Sequence, residues 1–145
     1  MIPQFEAGNF SVGTLVGLLL GAFIGHALAI RRGKIQSRHS AAIDLKKEFR
    51  PISLQLKNGD NPSFIISADV FHRLKAAALD YSATLEGKNL NMFNAALNEF
   101  SEWFGMACNR RRSERLYESD DPDYLRVIGK DPLKLIEKML QYANT

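Results

Sequence analysis

The chain has 145 residues and a mass of 16.3 kDa, with 46% hydrophobic, 24% charged and 10% aromatic residues. Those proportions are ordinary for folded chains, so disorder and collagen-like repeats are excluded, and a single cysteine excludes an intrachain disulfide framework. The net charge of +3 is unevenly placed: residues 10–30 hold no Asp, Glu, Lys or Arg, and all 19 basic residues follow them.

The uncharged stretch FSVGTLVGLLLGAFIGHALAI is 21 residues long. At about 1.5 Å per residue its helix measures roughly 30 Å, the thickness of a bilayer's hydrocarbon core. A core helix of a soluble domain is the weaker reading, because no second apolar segment of that length is present to pack on it. A cleaved signal peptide competes through Ala27-Leu28-Ala29, a small-x-small pattern. Residues 1–9 carry no Lys or Arg, however, and the apolar run exceeds the usual signal core. Residues 31–50 then hold seven basic and two acidic residues, a local charge of +5. By the positive-inside rule this places a short N-terminal tail (1–9) outside and the rest in the cytoplasm. Arg31, Arg32, Lys34 and Arg38 stand where anionic lipid head groups would be met. Residues 51–145 are nearly balanced, with 12 basic and 13 acidic residues, unlike a nucleic-acid-binding domain.

Within the apolar run Gly13, Gly17, Gly21 and Gly25 recur every fourth position, and Ala29 continues the row. Residues four apart share a helix face, so the row is a groove against which a second helix can approach closely. This glycine zipper predicts a homo-oligomer or a contact with another membrane protein. His26 lies near the cytoplasmic end of the same helix.

After the membrane segment, Ala42, Leu45, Phe49, Ile52 and Leu56 step by three and four. They suggest that the membrane helix continues, after a break at Gly33, as a basic juxtamembrane helix over 31–57, with a kink or end at Pro51. A hairpin pairing residues 52–56 with 64–66 around Asn58-Gly59 is the alternative. A helix capped by Ser67 is expected to run to about Leu85, with Val70, Phe71, Leu74, Ala77, Ala78 and Tyr81 inward. Glu86 to Asn89 reads as a tight connection. The next helix is expected from about Leu90 to Tyr117, with Phe93, Leu97, Phe100, Phe104 and Ala107 on one stripe, and Ala96 and Trp103 beside it. Asp131 and Pro132 open a last helix with Leu133, Ile136, Met139 and Leu140 inward. The expected fold is all-α: one N-terminal transmembrane helix (10–30), the juxtamembrane helix (31–57) and a small cytoplasmic helical bundle over 63–145.

Motifs for chemistry are missing from this pattern. The sequence holds no phosphate loop, no GxGxxG, no GxSxG and no HExxH, and His26, His39 and His72 are not paired. Cys108 sits beside an apolar stripe and reads as an inert thiol. Glu114, Glu118, Asp120, Asp121 and Asp123 lack the spacing of a calcium loop. Arg110-Arg111-Arg112 with Arg115 reads as a helix-end charge run pairing with Glu114 and Glu118. No catalytic residue, cofactor, metal or nucleic-acid partner is therefore expected. A membrane-active protein of the pore or lysis type is the alternative to an interaction module, followed by a membrane-tethered enzyme.

Gly25-His26 at the end of the apolar helix, the basic run into Lys47-Glu48-Phe49, and Gly87-Lys88 followed by Phe93, Ala96 and Phe100 carry one resemblance. Across about residues 20–105 the chain resembles small uncharacterised single-pass membrane proteins of bacteria and prophages. The resemblance implies a bacterial inner membrane and no particular activity.

Overall fold

The computed structural model describes residues 12–108, 126, 127 and 129–144. The regular structure among them is helical throughout: α1 Val12–Lys57, α2 Pro62–Ile65, α3 Ala68–Ser82, α4 Gly87–Ala107 and α5 Pro132–Tyr142. The fold class is all-α, as expected. The chain divides into two units, residues 1–36 and 37–145, and α1 contributes to both.

In the first unit α1 is long and apolar enough to cross a membrane, and none of its apolar window is buried. By length and composition this fits a membrane anchor or a signal sequence. Residues 10 and 11 of the expected span, and the tail before them, lie outside the described residues.

α1 shows neither a break at Gly33 nor an end at Pro51. The helix passes Gly33 and continues through Pro51 to Lys57. Proline at 51 takes away the donor that would serve the carbonyl of residue 47. Both Lys47 and Pro51 lie on the exposed side of the helix, so water can serve that carbonyl. The interruption is tolerated there.

Asn58-Gly59 is likewise not a hairpin turn. Gly59 takes φ +86°, donates to the Leu56 carbonyl (3.1 Å), and Asp60 donates to the Gln55 carbonyl (3.2 Å). That pair of bonds is a Schellman cap, which satisfies the last carbonyls of α1 and needs a residue at ease with positive φ. Asn61 then caps α2 by accepting from the Ser63 amide at 3.0 Å.

In the second unit α1 supplies Ala42, Leu45, Phe49 and Ile52 to the core, while Leu56 is half-buried. The Ser67 hydroxyl accepts from the Val70 amide (3.3 Å) to open α3, which ends at Ser82 rather than near Leu85. α4 begins at Gly87, three residues earlier than expected, with Gly87 itself at φ +59°. Its expected continuation to Tyr117 lies, beyond Cys108, outside the described residues. α4 packs on α3 and α5.

The centre is aromatic. Phe71 of α3 stacks on Phe104 of α4 with centroids 3.9 Å apart, and Phe49 of α1 meets Phe100 at 6.3 Å. Phe93 lies edge-on to Tyr81 (5.2 Å) and to Tyr142 (6.0 Å). Such tilted and stacked pairs add to the apolar burial, which is the main stabilising term. The Tyr81 hydroxyl donates to the Tyr142 carbonyl, satisfying an orphan acceptor at the end of α5. Asp131 caps α5 through the Leu133 amide at 3.0 Å, as its sequence foretold. On α5 the buried residues are Pro132, Leu135, Ile136 and Met139, whereas Leu133 and Leu140 are half-buried.

Candidate functional site

The glycine row occupies the exposed surface of α1 in the first unit. Gly13, Gly17, Gly21, Gly25 and Ala29 are all exposed. A methyl placed at Gly17, Gly21 or Gly25 would meet no atom within 4 Å. Their small size therefore serves no contact among the described residues of the unit. A four-residue repeat on a helix of about 3.6 residues per turn drifts by about 40° per step, so the row winds slowly around the helix. Leu15, Leu18, Leu19, Leu20, Phe23 and Ile24 stand exposed around it, each at 52% or more.

Toward its end the row opens into a groove of about 500 Å³ over Gly25, Leu28, Ala29, Arg32, Gly33 and Gln36. Arg31, Arg32 and Lys34 are exposed, and Arg38, in the second unit, is half-buried. Lys34 and Arg38 each already engage another group. The row thus leads from an apolar surface to a cationic one along a single helix.

Among the described residues no group of three or more His, Cys, Asp or Glu side chains is arranged to hold a metal ion. His26, His39 and His72 are exposed, and His72 lies edge-on to the Phe71 ring. Cys108 is half-buried at the end of α4. Burial pushes its thiol up from the usual value, against a smaller opposing hydrogen bond with Ser63. A thiol held protonated is a poor nucleophile. The Arg110–Arg112 run with Arg115, and the acidic cluster from Glu114 to Asp123, lie outside the described residues.

Two surface features of the second unit escaped sequence reasoning. Leu54 and Phe64 are exposed at 62% and 81%, and the helical stripe drawn from the sequence assigned neither a role. Helical phase gives the signal for Leu54, which stands about 200° from Ile52 and Leu56 on α1. Leu54 borders a groove of about 530 Å³ between α1 and α5, walled also by Arg50, Lys57, Glu137 and Leu140. Phe64 borders a second groove of about 650 Å³, beside Pro51, Asp60 and Arg73.

Comparison with protein-family models, with characterised proteins and with solved structures gives no match to this chain.

Proposed function

We propose that this chain is a non-catalytic, single-pass assembly module of a bacterial inner membrane, anchored by the first turns of α1 and associating through the glycine row. One observation carries the reading: the apolar turns are wholly unburied, and Gly17, Gly21 and Gly25 leave open space along them. In lipid the driving force for helix pairing is close van der Waals packing, and small residues permit it. A row with a repeat above 3.6 favours a right-handed crossing, at about −40° for glycine-mediated pairs. The partner is most simply a second copy of the same helix.

Topology follows from charge. Arg31, Arg32, Lys34 and Arg38 sit on the cytoplasmic side against anionic head groups, and the helical unit hangs in the cytoplasm. The test is the mass of the purified protein in nanodiscs, for wild type and for Gly17→Leu/Gly21→Leu. An oligomer that falls to monomer in the variant supports the reading. A wild-type monomer overturns self-assembly, and an oligomer indifferent to the substitutions overturns the role of the row.

A further inference from the structure

We propose that the groove between α1 and α5 receives an acidic, amphipathic helix of a partner protein. The inference goes beyond the membrane contact and does not depend on the glycine row.

Its first support is the arrangement of α1 from Ile43 to Lys57. At about 100° per residue, Ile43, Lys46, Lys47, Arg50, Leu54 and Lys57 fall within an arc of about 100°. Asp44 and Glu48 fall outside that arc. Ile43 and Leu54 are 51% and 62% exposed, eleven residues or about three turns apart. Lys46, Lys47 and Arg50 have no ion-pair partner among the described residues. Lys57 alone is engaged, to Glu137 of α5 at 2.8 Å. That bridge neutralises the only carboxylate among the described residues that line the groove. Leu54 and Arg50 at the groove, with Ile43, Lys46 and Lys47 further along the same face of α1, thus present two apolar side chains beside three cations that no ion pair among the described residues offsets.

The second support is shape. Ser53 is buried and Leu140 half-buried at the floor, whereas Arg50, Leu54, Gln141 and Asn144 rise exposed around them. A helix presents a convex ridge that fits a trough between two others. A bilayer surface is flat on this scale and would reach only the rim, leaving the recessed floor uncovered. A second copy docked through the same face would set Lys47 and Arg50 of each chain against those of the other, and like charges so placed repel. Charge and shape together select a helix with leucine-like residues on one side and carboxylates flanking them.

The test uses the full chain in phosphatidylcholine nanodiscs and two fluorescent peptides built from glutamate and leucine. In one the leucines follow helical spacing; the other has the same composition with the leucines scattered. The patterned peptide is expected to bind saturably, at least about tenfold tighter than the scattered one, and to weaken as salt rises. Leu54→Gln and Arg50→Glu are each expected to lower its affinity about tenfold, with helix content unchanged because both side chains are exposed. Equal affinity for the two peptides, or indifference to both substitutions, overturns the proposal. Loss of patterned-peptide binding in phosphatidylglycerol nanodiscs would assign the face to lipid and overturn it as well. The Gly17→Leu/Gly21→Leu variant should bind the patterned peptide as wild type does, so failure of membrane assembly and failure of this docking are read separately.

Discussion

Cys108 shows how one side chain's surroundings set its chemistry. The thiol is half-buried, and the same burial that protects it also disfavours the thiolate, while the hydrogen bond with Ser63 works in the opposite direction. Alkylation of native protein is therefore expected to lag behind that of a free thiol at neutral pH, and to accelerate only at a pH above the free thiol's own range. Ser63→Ala removes the opposing bond and should slow the reaction further. A rate–pH profile with iodoacetamide checks both statements, and a midpoint below that of a free thiol contradicts them. The linkage has a definite sign: with the native pKa raised, its stabilising contribution is full below the unfolded thiol's pKa and is lost as pH rises through the native value.

At the scale of elements, Pro51 is the test of α1. A proline inside a helix costs the chain a hydrogen bond and a steric clash, together about 3 kcal/mol in a regular interior. Its position on the exposed side reduces this by letting water reach the freed carbonyl. Pro51→Ala should therefore leave the helical content intact and raise thermal stability, by about 1 kcal/mol or more. A destabilised variant would mean that the proline has a packing role the exposed position does not suggest. The same residue marks the border of what a reader of the sequence can recover. Ser67 before α3 and the Asp131-Pro132 start of α5 obey rules acting over three or four residues, so both were legible. The inward faces of α3 and α4 were legible from periodicity. Continuation of α1 to Leu56 was legible from periodicity too, but its unbroken passage at Gly33 and Pro51 was not, because local rules penalise both residues and only their exposed position relieves the penalty. Asn58-Gly59 satisfies a hairpin turn and a helix cap equally well by composition. Of the candidate surface, the glycine row and the cationic flank could be read directly, whereas the groove beside Leu54 depends on where α5 lies and has no trace in local sequence.

For the whole molecule, burial among the described residues is confined to one unit. Every buried side chain of the core, from Ala42 to Ala143, lies within residues 37–145. None of the described residues before Ala42 is buried. A fragment spanning 37–145 is therefore expected to fold without the apolar turns, giving a helical circular-dichroism spectrum and a single cooperative urea transition. Non-cooperative melting would show that the unit depends on the apolar turns.

The aromatic centre also has an order of arrival. Phe49 enters it from α1, but Ile136 and Met139 of α5, both fully buried, come roughly ninety residues later in the chain. During synthesis α1, α3 and the start of α4 leave the ribosome while the α5 cover for Phe93 and Tyr81 is still untranslated. An unfinished chain would carry an open aromatic surface, exposed to chaperones and proteases. Any truncation before Pro132 would hold the protein permanently in that nascent condition.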